Sequence, residues 1–111
     1  HAVGDLILRL IAERFSRVIS TDVLLARLGG DEFGVIVYGQ PQIAQEISRA
    51  LRASLSYPIT AGGHVVSVGV SIGQVVNTDE STAEVLLRRA DRAMYEAKRQ
   101  GVGILAWPIQ A

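Results

Sequence analysis

The sequence predicts an α+β fold with a mostly antiparallel sheet and helices packed against it. Apolar residues recur at helical spacing over residues 3–19, which predicts an amphipathic helix. Two apolar runs flank a glycine pair at 29–30, and this arrangement predicts a β-hairpin. Residues 64–76 alternate between large apolar and small residues, as a strand with one buried face does. The elements are predicted in the order helix, strand, strand, helix, strand, strand, helix, strand.

The first half of the chain contributes two helices and the hairpin. In the helix over 3–19, the charged side chains, Arg14 among them, are predicted to face water. The hairpin is expected to span 24–38, with its tip at 29–32. Pro41 is predicted to open the second helix, because the first turn of a helix does not need the backbone N–H that proline lacks.

Two strands are predicted after the second helix. A short strand begins at 57–60, and a turn at 62–63 separates it from the longer strand over 64–76. The second face of the longer strand carries only small residues, Gly73 among them. Small residues on that face would let another element pack closely against the strand.

The last helix is predicted from its ends as well as from its apolar stripe. Ser81 and Glu84 form a possible capping box at its start. Gly101 is a favourable residue for its C-terminal end. A short final strand is expected at 104–107, before Pro108.

The composition excludes several classes of protein. A length of 111 residues and an apolar fraction of 49% fit one small domain with one core. Eleven basic residues balance eleven acidic ones, so no nucleic-acid-binding surface is expected. No apolar run approaches the roughly 18–20 residues of a membrane span, so no membrane contact is expected. The absence of cysteine fits a cytoplasmic location.

The hairpin tip carries the residues best suited to chemistry. Gly29 and Gly30 would let the backbone approach a bulky anion such as a phosphate. Asp31 and Glu32 are adjacent carboxylates that could hold a hard divalent cation. Together they suggest phosphoryl or nucleotidyl transfer, whereas the alternative is an ordinary turn, since glycine and aspartate are common turn residues.

Three ordered motifs resemble those of one family. Residues 27–33 read Arg-Leu-Gly-Gly-Asp-Glu-Phe and resemble the signature of the GGDEF family, the bacterial diguanylate cyclases. Residues 1–6 are similar to the end of its Gly-His-x-x-Gly-Asp-x-Leu segment. Residues 90–98 read Ala-Asp-Arg-Ala-Met-Tyr-Glu-Ala-Lys and resemble its Ala-Asp-x-Ala-Met-Tyr-x-Ala-Lys helix. The resemblance implies a single GGDEF domain over 1–111, with a ferredoxin-like, palm-type nucleotidyl cyclase fold.

The resemblance also implies an incomplete start. Family members have a strand with a metal-binding Asp and a helix with a guanine-reading Asn before the Gly-His segment. Neither occurs here, and His1 fits the motif, so we expect an N-terminally truncated domain lacking its first strand and helix. The lost strand would be central and beside the hairpin, so its absence should leave unpaired backbone groups and an exposed apolar face. The chain alone is expected to be inactive.

The signature carboxylates receive roles by resemblance. Asp31 corresponds to the residue that binds Mg²⁺ and helps to deprotonate the attacking 3′-hydroxyl; the alternative is an aspartate that bonds its own turn. Glu32 corresponds to a metal ligand or to a residue that contacts and orients the metal ligands. The alternative is a solvated turn residue. Gly29 and Gly30 would admit the triphosphate.

Two residues outside the hairpin are also candidates for substrate binding. Asp5 corresponds to the residue that accepts hydrogen bonds from guanine, although an aspartate at a helix start is also favoured by the helix dipole. Lys98 corresponds to a residue that reaches phosphate, although a lysine near a helix C-terminus is also stabilised there. Both alternatives remain open from the sequence.

Val102 is one departure from the family pattern. The family has a basic residue at this position, directly after a glycine, and that residue helps to hold the triphosphate. Its loss would cost about 1.5–3 kcal/mol, or roughly ten- to a hundredfold in affinity.

A second departure concerns product inhibition. Many family members carry Arg-x-x-Asp a few residues ahead of the signature. The corresponding positions are Ser20 and Val23, or Ile19 and Asp22 if the register shifts by one, and Arg17 is misplaced. We therefore expect no tight binding of cyclic di-GMP at this surface.

The resemblance implies an enzyme of bacterial second-messenger signalling. As a homodimer, a diguanylate cyclase condenses two GTP into cyclic di-GMP and two pyrophosphates, with Mg²⁺ or Mn²⁺ as cofactor. A sensor domain is expected upstream. The main alternative is a catalytically degenerate GGDEF domain that binds GTP or cyclic di-GMP and regulates a neighbouring domain, which Val102 favours. A purely structural dimerisation domain is the third interpretation.

Overall fold

The computed structural model describes residues 2–19, 23–29, 32–37, 40–77 and 82–107, except for the side chains of 26–29. The α+β prediction is confirmed. The chain divides into two compact units, His1–Gly69 and Val70–Ala111. The elements in chain order are α1 (Ala2–Val18), β1 (Val23–Gly29), β2 (Glu32–Val37), α2 (Pro41–Ser54), β3 (Ile59–Ala61), β4 (His64–Val66), β5 (Ile72–Gln74), α3 (Ala83–Gln100) and β6 (Ile104–Ala106).

The first unit contains two antiparallel hairpins and two helices. Strand β1 pairs with β2, and β3 pairs with β4, as predicted for consecutive strands joined by short turns. Gly62 and Gly63 both have positive φ, so the predicted turn between β3 and β4 is confirmed. The buried apolar residues of this unit come from α1, α2 and the segment leading through β3: Ile11, Phe15, Leu51, Leu55, Ile59 and Ala61.

The second unit is a β-α-β arrangement. Strands β5 and β6 are parallel neighbours, and α3 connects them. The backbone N–H of Trp107 donates to the carbonyl of Gln74 at 2.7 Å, which extends the pairing past the end of β6. Ala93 and Ala97 lie on the buried side of α3. Their small side chains let the helix approach the sheet closely.

Gly73 provides the closest approach in this unit. A Cβ built on Gly73 would overlap the carbonyl oxygen of Ala90 and the backbone nitrogen of Met94, and it would lie 3.0 Å from the Met94 Cα. The structure thus confirms that a small residue on this face lets another element, here α3, pack against the strand.

The prediction of one strand over 64–76 is wrong. The chain forms β4 and β5 instead, and residues 67–71 between them belong to neither strand. Strand β4 pairs with β3, whereas β5 pairs with β6. In this interval Ser67, Gly69 and Ser71 alternate with two valines, and serine and glycine favour extended pairing less than β-branched residues do. Across the described part of the chain, the strands accordingly form three two-stranded sheets.

Helix ends follow local chemistry, with one correction. Pro41 occupies the first turn of α2, and Gly101 ends α3 in the left-handed conformation with φ of 73°, both as predicted. The N-cap of α3 is Thr82 rather than Ser81: the Thr82 hydroxyl accepts a hydrogen bond from the Val85 backbone N–H at 3.2 Å. Ser81 lies outside the described residues.

Arg14 does not face water as predicted. It is half-buried, and its guanidinium donates to the backbone carbonyls of Ser54 at 3.0 Å, of Tyr57, and of Pro58 at 2.7 Å. These carbonyls belong to the end of α2 and the link to β3, where backbone acceptors lack helical partners. Arg14 therefore ties α1 to this link.

The described helices show no membrane-crossing segment. None of them combines the length and the apolar character that a bilayer span requires. The end of the predicted hairpin at 38 and Pro108 lie outside the described residues.

Candidate functional site

The signature hairpin is paired on both sides of its tip. The antiparallel ladder runs from Val23 opposite Val37 to Arg27 opposite Phe33, and it ends with Gly29 opposite Glu32. Gly30 and Asp31 are the two residues between that last pair, and they lie outside the described residues. The predicted hairpin is thus confirmed by its two strands.

The ladder contains an irregularity next to the tip. Between the pair Arg27–Phe33 and the pair Gly29–Glu32, β1 advances two residues while β2 advances one. This register shift is a β-bulge, which places one extra residue in β1 and changes the direction of the strands locally. Glu32 consequently pairs with Gly29 instead of Leu28, and no motif in the sequence indicated this change.

Glu32 is an exposed carboxylate that follows the tip directly. It begins β2, and the next residue, Phe33, is half-buried. The Phe33 ring meets the ring of Phe15 edge-to-face, with centroids 5.4 Å apart and an interplanar angle of 77°. The acidic end of the hairpin is therefore anchored to α1 by an aromatic contact immediately behind it.

Asp5 lies in the first turn of α1, exposed to solvent. A carboxylate there is stabilised by the helix dipole and is free to accept hydrogen bonds from a ligand. The position fits both interpretations drawn from the sequence. Asp5 and Glu32 both belong to the first unit.

Lys98 lies in the last turn of α3, in the second unit, and is exposed. Its neighbour Arg99 is held by Glu96: the Arg99 Nε donates to the Glu96 Oε1 at 3.0 Å, and the Arg99 Nη2 donates to the Glu96 Oε2 at 2.8 Å. The hydrogen bond from Arg99 lowers the pKa of Glu96, and the same bond raises the pKa of Arg99. Sequence reasoning missed this pair, although its spacing along the helix could have indicated it.

Val102 is fixed by the C-cap of α3. Its backbone N–H donates to the Ala97 carbonyl at 3.0 Å, and the Gly101 N–H donates to the Lys98 carbonyl at 3.2 Å. The Val102 side chain is 41% exposed. Val102, at the position where a basic residue is expected from the family pattern, therefore has a partly exposed side chain and a backbone held by the C-cap hydrogen bonds.

No metal centre is formed by the described residues alone. Within the ranges given above, no group of three or more histidine, aspartate or glutamate residues comes together. Glu32 is described and Asp31 is not, so the two-carboxylate site stays a prediction. The positions of the product-inhibition motif at 20 and 22 also lie outside the described residues.

The sequence matches the family described as diguanylate cyclase, GGDEF domain, over residues 1–103. This match covers most of the chain, and the chain therefore belongs to the GGDEF family. The family assignment made from the three motifs is confirmed.

Named relatives include two diguanylate cyclases. The chain is 39% identical to TpbB of Pseudomonas aeruginosa (strain UCBPP-PA14) over 107 residues, which are 93% of this chain and 25% of that protein. It is 35% identical to DgcN of Escherichia coli (strain K12) over 103 residues, 90% of this chain and 25% of that protein. The chain thus spans only a quarter of either relative.

The fold also matches solved GGDEF domains. The crystal structure of the GGDEF domain of YfiN, also called TpbB, from Pseudomonas aeruginosa has a TM-score of 0.85 to this chain and 33% sequence identity. The match covers 100% of this chain and 71% of that chain. The fold expected from the resemblance is confirmed.

Proposed function

We propose that this chain forms the catalytic part of a diguanylate cyclase, which joins two GTP molecules into cyclic di-GMP and releases two pyrophosphates. The observation that carries the proposal is the paired hairpin: its ladder brackets Gly30 and Asp31 between Gly29 and Glu32. Paired strands are a more precise support than loops for groups that must meet a phosphate. Relatives named diguanylate cyclase support the same reaction.

In this proposal the hairpin residues perform the proton and phosphate chemistry. Asp31 accepts the proton of the attacking 3′-hydroxyl, whose oxygen forms a bond to the α-phosphorus of the second GTP. The bond from that phosphorus to the β-phosphate bridging oxygen breaks, and pyrophosphate leaves. Gly29 and Gly30 present backbone without side chains, so the triphosphate can approach closely. A second reaction of the same kind closes the ring.

Asp31 and Glu32 would also hold the divalent cation. Their carboxylate oxygens are hard donors of the type that Mg²⁺ and Mn²⁺ prefer. When bound, the cation neutralises negative charge on the phosphates. Glu32 is exposed at the start of β2, as a ligand shared with a nucleotide must be.

Base recognition is assigned to Asp5 and phosphate binding to Lys98. A carboxylate can accept from both the N1–H and the 2-amino group of guanine, whereas adenine lacks this pair of donors. The exposed first turn of α1 leaves the Asp5 carboxylate accessible. Lys98 is a flexible, exposed cation in the last turn of α3, where it would reach the phosphates.

The reaction requires two copies of the domain. Each copy would hold one GTP and face the other, because each 3′-oxygen attacks the nucleotide bound by the partner. The share of the relatives that the chain spans supports further domains in the complete protein, and we propose an upstream sensor among them. A cytoplasmic location follows from the use of GTP.

A degenerate regulatory domain is the second candidate. Val102 favours it, because a partly exposed valine replaces the basic residue that would hold the triphosphate. Such a domain would bind GTP or cyclic di-GMP without turnover and would act on a neighbouring domain.

The two candidates differ in turnover rather than in binding. We would incubate the full-length protein with GTP or ATP and Mg²⁺, and we would measure nucleotide binding in parallel, with Asp31→Ala and Asp5→Ala variants. A cyclase makes product from GTP only, Asp31→Ala abolishes product but retains GTP binding, and Asp5→Ala reduces discrimination against ATP. GTP binding without product would establish the regulatory candidate, and absence of both would contradict either one.

A further inference from the structure

Helix α1 supports two parts of the proposed nucleotide site. Asp5 lies in its first turn, and Phe15 lies further along the same helix, about 15 Å away at roughly 1.5 Å per residue. Phe15 is 2% exposed, and its ring contacts Phe33, the residue directly after Glu32. The base-reading end of the helix and the catalytic hairpin are therefore connected through one rigid element.

We propose that Phe15 is a positioning residue, whose ring contact with Phe33 fixes Glu32 and the start of β2 relative to α1. The proposal rests on the proposed function for its kinetic consequences. Phe33 pairs with Arg27 at the last regular position of the ladder before the bulge. Beyond it, one backbone pair, Gly29 with Glu32, continues towards the tip. The Phe15–Phe33 contact is thus a side-chain anchor one residue away from Glu32.

The helix itself is held firmly, which makes it a suitable platform. Arg14, adjacent to Phe15, donates hydrogen bonds to the carbonyls of Ser54, Tyr57 and Pro58. Ile11, one turn earlier on the same side, is also buried. Since α1 is held in the turn that leads to Phe15, the ring transmits that fixed position to the hairpin.

An edge-to-face pair restrains direction as well as distance. Two rings at 77° present an edge to a face, so sliding or tilting one ring loses the favourable electrostatic arrangement. A leucine at position 15 fills part of the volume but imposes no such orientation. Glu32 and the start of β2 would then shift about the bulge, and misplacement of reacting groups by about 1 Å can reduce a rate by about a hundredfold.

The test compares Phe15→Leu with Ile59→Val in the full-length protein. Ile59 is 1% exposed and belongs to β3 in the same unit, so its truncation disturbs the same core away from the hairpin. Two readouts are taken from each variant. The first is kcat and KM for GTP, and the second is hydrogen exchange at the backbone amides of Glu32–Val37 and of residues 42–54, which follow Pro41 in α2.

We expect Phe15→Leu to lower kcat about tenfold or more while KM for GTP changes less than about twofold, because Glu32 and the start of β2 are misplaced and the substrate contacts persist. Exchange should accelerate about tenfold in Glu32–Val37 and remain unchanged in residues 42–54. Ile59→Val should leave kcat and hairpin exchange at wild-type values.

Hairpin exchange that matches the Ile59→Val protein would overturn the proposal, as would a kcat loss no larger than that of Ile59→Val. If the wild-type protein shows no turnover, the proposed cyclase activity fails, and the exchange measurement alone then decides the role of Phe15. The two failures are therefore distinguishable.

Discussion

Gly73→Ala tests the close packing of α3 against β5. The added Cβ would overlap the Ala90 carbonyl oxygen and the Met94 backbone nitrogen, and it would lie 3.0 Å from the Met94 Cα. All three atoms belong to the backbone of α3, so no side-chain rotation can relieve the overlap. Either the helix or β5 must move, and both are held by pairing and packing within this unit.

The expected loss in the free energy of unfolding is at the upper end of the range found for overpacked cores. Inserting a methyl group into a packed core typically costs about 1–3 kcal/mol. Because the overlap is with backbone, we expect the free energy of unfolding to fall by about 3 kcal/mol. With a urea dependence of about 1–3 kcal/mol/M, the unfolding midpoint would fall by about 1–3 M.

Trp107 makes the assay local. It is the single tryptophan of the chain, and its backbone N–H donates to Gln74, the residue after Gly73. Its fluorescence in urea therefore follows the unit that contains the substitution. Gly69→Ala, at the last residue of the first unit, is the control for a methyl group added in open space, since nothing lies within 4 Å of a Cβ at that position. It should change the unfolding free energy by less than about 0.5 kcal/mol, or raise it slightly by restricting the unfolded chain.

The packing argument would be refuted by equal midpoints for the Gly73→Ala and Gly69→Ala proteins. Midpoints that both equal the wild-type value would mean that α3 does not approach β5 as closely as described. An equal loss in both variants would mean that an added methyl group destabilises the protein for a reason other than overlap with α3.

Three further predictions concern other contacts. Arg14→Met should lower the free energy of unfolding by about 2 kcal/mol in a urea titration, since charged donors contribute about 1.5–3 kcal/mol and the exposed acceptors regain water. Arg9→Met, an exposed change on the same helix, should have almost no effect. Equal effects of the two substitutions would contradict the role of Arg14. Glu96→Gln should matter most at neutral pH: the hydrogen bond from Arg99 lowers the pKa of Glu96, so its stabilisation is present above the usual carboxyl range and is lost as pH falls through that lowered pKa. Thermal melts from about pH 7 to about pH 3 should show the wild-type and Glu96→Gln curves converging in acid, and a constant separation would contradict the linkage. Isothermal titration with cyclic di-GMP should show no tight site that survives Asp31→Ala, because the product-inhibition arginine is missing, and tight binding by that variant would contradict this reading.

Local signals in the sequence located most of the fold. Proline restricts the first turn of α2, and Gly101 adopts a left-handed conformation that other residues avoid, so both ends were predictable. The start of α3 was less well determined, because Ser81 and Thr82 are adjacent hydroxyl residues of similar capping ability. The choice depends on where the helix begins, which local propensity does not fix to one residue.

Non-local contacts account for the errors. The division of 64–76 into β4 and β5 depends on two different partner strands, and the alternating pattern is the same whichever partner is present. The charge of Arg14 predicts exposure to water, but its guanidinium donates to three backbone carbonyls that are distant in the sequence. A guanidinium can be half-buried when its donors are matched, and a helical pattern does not reveal such acceptors.

In the candidate site, too, the local motif was predictable from the sequence, whereas the non-local contacts were not. The signature residues at 29–32 were identifiable as a motif, and their strands formed as expected. The bulge that pairs Glu32 with Gly29, and the Phe15–Phe33 contact behind it, arise from the register and from helix packing. Those two features determine the surroundings of Glu32, and no local sequence pattern indicates either of them.

The stoichiometry of the products tests the central claim most directly. We would supply the full-length protein with GTP and Mg²⁺, and we would quantify cyclic di-GMP and pyrophosphate in the same sample. A diguanylate cyclase should release two pyrophosphates for each cyclic di-GMP, and both products should vanish with Asp31→Ala. Pyrophosphate without cyclic di-GMP, or product that persists in Asp31→Ala, would contradict the assignment of this hairpin as the catalytic centre.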